Sequence, residues 1–211
     1  MWKFQLEQLD SLDDNFLESF NRLEPSDHLD GKYRLRAYSV FKHVKGFHTD
    51  AFVKLPERAF TQSSEYNKHQ GDLERKFDSV SNRAAYSGTL QDLLVLFSKQ
   101  FDLDDGQEIE VHQMRVITQE GGKLSPEGVH QDGFDRIMMM GVSRHNITGG
   151  HLLLYKTKDG DPVVNFPLED GEIAYLDDTL LWHNGSPLKR IDPSTEGHMD
   201  LLICLTKFKL E

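Results

Sequence analysis

Gly128-Val129-His130-Gln131-Asp132-Gly133-Phe134-Asp135 is the stretch on which the reading of this 211-residue chain turns. Two residues apart on an extended chain, the His130 imidazole and the Asp132 carboxylate point to the same side. One histidine from a neighbouring strand would complete two imidazoles and one carboxylate on one face of a metal, with the opposite face open. Non-haem Fe(II) oxygenases use that arrangement. His183, in Leu181-Trp182-His183-Asn184-Gly185, is the candidate for the third ligand.

The His-x-Asp triplet alone carries little weight, because it occurs four times: His28/Asp30, His48/Asp50, His130/Asp132 and His198/Asp200. Context separates them. His198 is too near the C-terminus to have another histidine after it, and His28 sits in the polar, loop-like run Pro25-Ser26-Asp27-His28-Leu29-Asp30-Gly31. Pattern alone does not exclude His48. Only His130 lies just after one strong strand pattern and before another, with a strand-borne histidine well downstream.

A formal net charge of −11 argues against nucleic acid or an anionic membrane surface as partner. The single cysteine, Cys204, lies in the apolar run Leu201-Leu202-Ile203-Cys204-Leu205 and reads as a buried small hydrophobe. No disulfide framework is possible within the chain, which fits a reducing cytoplasm. The first residues lack the apolar core of a signal peptide, and no apolar run is long enough to span a bilayer. A cytoplasmic protein is the expectation.

Helical spacing of Leu9, Leu12, Phe16, Leu17, Phe20 and Leu23 predicts a first helix, and Leu90, Leu93, Leu94, Phe97 and Phe101 a second. Tyr33 to Phe41 reads as a strand with Arg34 and Arg36 on one face, either a solvated edge or an anion-binding wall. Residues 56–87 are polar and weakly patterned, either a segment that covers a site or plain surface. From Glu108 onward the pattern changes to short strands: 108–118, then a Gly121-Gly122 turn, 134–143, 151–157, 163–166, 172–182 and 199–210. Short strands at regular spacing with Gly and Asp turns indicate a sandwich or barrel. The fold class is therefore α+β, mainly β, with a jelly-roll, cupin-like core and N-terminal helices packed outside it. No repeat or linker divides the chain, so one domain is expected over 1–211, helical to about 105 and barrel from about 106.

Pro126-Glu127-Gly128-Val129-His130-Gln131-Asp132-Gly133 resembles the signature of the Fe(II)/2-oxoglutarate dioxygenases. The nearest group is the small bacterial hydroxylases of free amino acids, of the L-isoleucine 4-hydroxylase kind. The similarity continues through Asn146-Ile147-Thr148-Gly149-Gly150, Leu176-Asp177-Asp178 and Gly197-His198-Met199-Asp200, and covers residues 108–208. It implies a double-stranded β-helix, Fe(II) held by His130, Asp132 and His183, and 2-oxoglutarate and dioxygen as co-substrates. Asp177 and Asp178 would be carboxylates orienting an imidazole, or ordinary turn acids. The substrate implied is a free amino acid or a small derivative, and Arg34 and Arg36 are the candidates to meet it.

One departure stands out. The family usually holds the far carboxylate of 2-oxoglutarate with an arginine on the last barrel strand, which Gly-Tyr-Arg-Asp supplies in the related hydroxylases. Here Met199 occupies that place, and a thioether cannot pair a carboxylate. Arg115, on the strand leading toward His130, is the first substitute expected, followed by Arg34, Arg36 and Arg190. Two other classes fit the residues: a cupin-like isomerase or lyase using Zn or Mn, and a non-catalytic barrel that binds a small molecule. Gly-x-Ser-x-Gly and phosphate-cradling Gly-x-x-x-x-Gly-Lys are both missing from the sequence.

Overall fold

The computed structural model describes residues 4–68, 70–118 and 123–208. Its elements run β1 (Phe4–Gln8), α1 (Asp14–Phe20), β2 (Arg34–Val44), β3 (Ala51–Lys54), α2 (Asn82–Ala85), α3 (Gly88–Phe101), β4 (Glu108–Ile117) and β5 (Arg136–His145). They continue β6 (Ile147–Gly149), β7 (His151–Tyr155), β8 (Val164–Pro167), β9 (Glu172–Asp177), β10 (Trp182–Gly185), β11 (Leu188–Arg190) and β12 (His198–Thr206). Seven strands form one sheet in the order β1-β9-β5-β12-β4-β2-β3; β10-β7-β8 form a second, and β11-β6 a short ribbon.

Strand alternation decides which residues see which core. On β12, Leu202 and Cys204 turn to the outer face, where they meet Phe16 and Phe20 of α1 and Leu90, Leu93, Leu94 and Phe97 of α3. Those four α3 side chains are fully buried, worth about 2 kcal/mol each in transfer free energy. Met199, Leu201 and Leu205 turn inward and join Met114 and Val116 of β4 and Leu152 and Leu154 of β7. The helices thus cover one face of the large sheet, and its other face closes with the small sheet around a second core. This is the expected mainly-β jelly roll.

A single carboxylate starts both main helices. Asp13 Oδ1 accepts from the Phe16 N–H at 3.0 Å, and Asp13 Oδ2 accepts from the Thr89 N–H at 2.8 Å. Each satisfies one of the donors a helix N-terminus leaves orphaned.

Several expectations need correction. The first helix is α1 alone. Phe4–Gln8, outside that expectation, is an edge strand on β9, whose ladder the Leu9 N–H extends by donating to Gly171 O at 2.9 Å. The N-terminal part is therefore not purely helical, since β1, β2 and β3 all belong to the large sheet. The strand expected over 172–182 is two strands, β9 and β10, because the Asp177 side chain accepts from Thr179 N and Oγ1 and turns the chain. The expected Gly121-Gly122 turn and the last residues of the final strand lie outside the described residues.

Arg115 is the largest correction. It shares the outer face of β4 with Gln113 and Val111, directly opposite Asp200 on β12. Its guanidinium grips that carboxylate at 2.7 and 2.6 Å and reaches Asn21 at the end of α1 at 3.0 Å. It points into the helix layer, away from the inner core. The Asp200 side chain is 3% exposed, so removing the cation strands a buried charge. Arg115→Ala is expected to cost about 3 kcal/mol of stability in chemical denaturation; an unchanged midpoint would show that the pair contributes nothing.

Candidate metal centre

Two peptide hydrogen bonds hold the centre together. The His130 N–H donates to His183 O at 3.0 Å, and the His183 N–H donates back to His130 O at 2.9 Å. His183 sits on β10, opposite Leu154 of β7. The chain after His130 is then fixed by one carboxylate oxygen: Asp178 Oδ2 accepts from the N–H groups of Asp132, Gly133 and Phe134 at 2.8, 2.9 and 3.3 Å. Gly133 has φ +77°, and a Cβ there would lie 2.4 Å from the Tyr66 ring, so only glycine makes this turn.

With the backbone so held, the side chains converge. His130 Nε2 lies 3.6 Å from Asp132 Oδ1, and His183 Nε2 lies 3.4 Å from Asp132 Oδ2. One nitrogen or oxygen of each residue falls within 4.8 Å of the others, and no other such group of His, Cys, Asp or Glu occurs among the described residues. Both Nδ1 atoms are turned away from Asp132. That of His130 bonds Gly128 O at 2.8 Å, and that of His183 lies 3.4 Å from Asp178 Oδ1, close enough to pair electrostatically though off the line of a good hydrogen bond. Both Nε2 atoms are thereby left facing Asp132, as metal ligation requires.

Charge supports the same reading. Burial works to raise Asp132, but hydrogen bonds from the two imidazoles overcome it and hold the carboxyl well below its usual range. Burial works to lower His183, yet the carboxylates of Asp132 and Asp178 push it up to about 10. A cluster that attracts a proton this strongly offers a cation the same negative field. The donor set is two nitrogens and an oxygen, which fits Fe(II).

The centre opens into a cavity between the two sheets. Gln62 donates to Asp132 Oδ1 at 3.1 Å and to its carbonyl at 2.9 Å, while Asn67 and Arg75 donate to the Gln62 oxygen at 3.0 and 3.3 Å. Arg34 and Arg36 line the cavity, as the shared face of their strand suggested. Arg190 does not; it is exposed on β11 and donates to Pro193 O at 2.9 Å. The other His-x-Asp pairs are engaged elsewhere: Asp30 with Arg34 at 2.6 Å, Asp50 with His43 at 2.8 Å, and Asp200 with Arg115.

Sequence reasoning missed Gln62, Arg75, His112 and Arg144. The first two come from the weakly patterned 56–87 segment, where no periodicity assigns a direction. His112 shares its strand face with Met114 and Val116. Arg144 stands opposite Met199 across β5 and β12, beyond the irregularity at Asp200/Leu201 that shifts the register. Its Nη1 is 3.5 Å from Met199 Sδ, its Nη2 donates to Gly149 O at 2.6 Å, and its Nε lies 3.3 Å from the exposed Glu169. Gly150 and Met199, both lining the cavity, are its neighbours, and a Cβ on Gly150 would sit 3.4 Å from the guanidinium.

Residues 17–205 match the family model described as 2OG-Fe dioxygenase. A bsmA homologue from Methylobium petroleophilum PM1 is 30% identical, with a TM-score of 0.79 over 93% of this chain and 82% of that one. The crystal structure of IDO from Bacillus thuringiensis matches at 18% identity and TM-score 0.78, over 99% and 95% of the two chains. The Fe(II)/α-ketoglutarate-dependent dioxygenase TqaL matches at 17% identity and TM-score 0.72, over 99% and 83%. The last two likenesses concern the fold alone. No curated protein sequence matches.

Asp178→Ala removes the acceptor of three N–H groups and the partner of His183 together. It is expected to weaken Mn(II) binding, followed by electron paramagnetic resonance, by about 10- to 100-fold with the fold retained. Unchanged affinity would mean the turn holds without it.

Proposed function

The chain belongs to the 2OG-Fe dioxygenase family and is an Fe(II)- and 2-oxoglutarate-dependent dioxygenase; we propose that His130, Asp132 and His183 hold its iron and that it hydroxylates a free amino acid or a small derivative of one. The observation that carries the metal assignment is the pair of Nε2 atoms facing Asp132, with His130 Nδ1 bonded to Gly128 O and His183 Nδ1 turned toward Asp178. The amino-acid part rests on the motif resemblance of residues 108–208.

Bound iron and 2-oxoglutarate supply oxygen activation coupled to decarboxylation of the co-substrate, and with it the oxidation of a substrate C–H bond. The chain's own residues do the rest. Asp178 fixes the turn that presents Asp132. Gln62 bonds one Asp132 oxygen and so settles which lone pairs remain for the metal. Leu152, Leu168 and Leu201 line the cavity wall and keep bulk water from the reacting carbon. Arg144 is the cation beside Met199, and to it we assign the distal carboxylate of 2-oxoglutarate. Its present ion partner, Glu169, is exposed, so the pair is weak and exchange for a buried carboxylate is favourable.

Three measurements test this reading. After anaerobic reconstitution with Fe(II), 2-oxoglutarate should be converted to succinate, faster with some members of an amino-acid panel. Alanine at His130, Asp132 or His183 should abolish turnover and sharply weaken metal binding. Clean metal-dependent activity under strict anaerobiosis would instead indicate an isomerase or lyase. Arg144→Met should weaken 2-oxoglutarate binding to the Mn(II) protein by about 10- to 100-fold, and adding Met199→Arg to that variant should restore it. Normal binding by Arg144→Met would remove Arg144 from the site.

A further inference from the structure

The cavity has a cationic corner that the metal chemistry does not use. Three guanidinium groups, Arg34, Arg36 and Arg75, line it together with the imidazole of His112. Arg34 is committed: it bonds Asp30 at 2.6 Å and faces Glu127 at 3.7 Å. Arg36 and Arg75 are not. Arg36 bonds Met114 Sδ at 3.5 Å and lies over the face of Phe77 at 5.2 Å, with the Asp30 and Glu127 carboxylates acting on it without forming an ion pair. Arg75 has the Gln62 amide oxygen and the face of Phe60 at 4.6 Å. Arg75 is 5% exposed, and its Nε has no partner.

His112 completes the picture. It is 3% exposed, and neither ring nitrogen has a partner, although buried imidazoles normally find one. It is wedged between Tyr38 and Phe60, with ring centroids 4.8 and 4.7 Å away. Burial, with Arg36 adding to it, holds it well below its ordinary pKa, so it stays neutral and has one N–H to give. Burial, with Arg34 adding to it, lowers Arg36 to about 9. Two guanidinium forks without an ion partner and an idle imidazole, facing one cavity, form an incomplete hydrogen-bond system of donors. A carboxylate completes it, because its two oxygens accept from several N–H groups at once.

We propose that Arg36, Arg75 and His112 form the subsite for a carboxylate of the substrate, so that the enzyme takes a small free acid and fixes it by that end. The inference rests on the cavity being the active site of the dioxygenase. Gln62 spans from Arg75 to Asp132, so the acid end would be held one glutamine side chain from the metal ligands. The atoms oxidised would then lie only a few bonds from the carboxylate. Long-chain and polymeric substrates attached at a distant point would not be placed this way.

The test uses the whole protein loaded with Mn(II) and 2-oxoglutarate, which binds without turnover. Calorimetric titration would compare the free protein amino acids with their carboxamides. At least one acid should bind, and its amide about 10- to 100-fold more weakly. Arg36→Gln and, independently, Arg75→Gln should bring the acid down to the level of its amide, while 2-oxoglutarate affinity, which also reports that each variant is folded, stays at the wild-type value. Amides binding as well as acids would overturn the proposal, as would a panel without a ligand, or variants that lose 2-oxoglutarate and keep the acid. Failure of the wild type to bind 2-oxoglutarate would instead sink the reading of the cavity itself.

Discussion

One oxygen atom, Asp178 Oδ2, accepts three successive peptide N–H groups at the turn that carries Asp132. Acceptors of successive N–H groups normally come from solvent or a bound anion; here the chain supplies its own, from 46 positions away. The side chain of Asp178 is fully buried, and an isolated carboxylate would not survive there. It survives because three amides bond one oxygen and the His183 imidazole lies 3.4 Å from the other. The position of Asp132, and through Gln62 that of Arg75, follows from this anchor.

The inner face of the large sheet lays out the cavity's charges by cross-strand position. Arg34, Val116, Met199 and Arg144 form one row over β2, β4, β12 and β5, and Arg36, Met114 and Leu201 form the next. Two cations stand at opposite ends of the first row, with an apolar pair between them. Arg34 is already paired with Asp30, whereas Arg144 at the other end meets the exposed Glu169. Like charges so separated interact weakly, whereas adjacent ones would repel strongly.

How much of this was legible in the sequence depended on whether a residue's direction could be read. His130 and Asp132 were, because alternation needs only two positions and the flanking strands were strong. Arg34 and Arg36 followed by the same rule. Arg115 failed under that rule because β4 is apolar on both faces: Ile109 and Val111 meet the helices, and Met114 and Val116 the inner core. Parity on such a strand is clear, but which parity faces the site is not, and the helix layer took Arg115. Arg144 was hidden by the register shift near Asp200, which no turn residue announces. Gln62 and Arg75 come from irregular chain, whose path is set by bonds such as the mutual pairing of Phe60 and Arg75 rather than by period.

The reciprocal bond between His130 and His183 has a consequence for the ion itself. In a site whose ligands lie on separate loops, the metal must hold the chain ends together, and its affinity is spent partly on that ordering. Here peptide hydrogen bonds have already brought the segments of His130 and His183 side by side. An ion is free to leave and return without the polypeptide being rebuilt. A ready-made set of nitrogen and oxygen donors also discriminates poorly: zinc and copper rank above Fe(II) in intrinsic affinity for such sites. Selection of iron at a site of this kind then depends on which divalent ions are at hand.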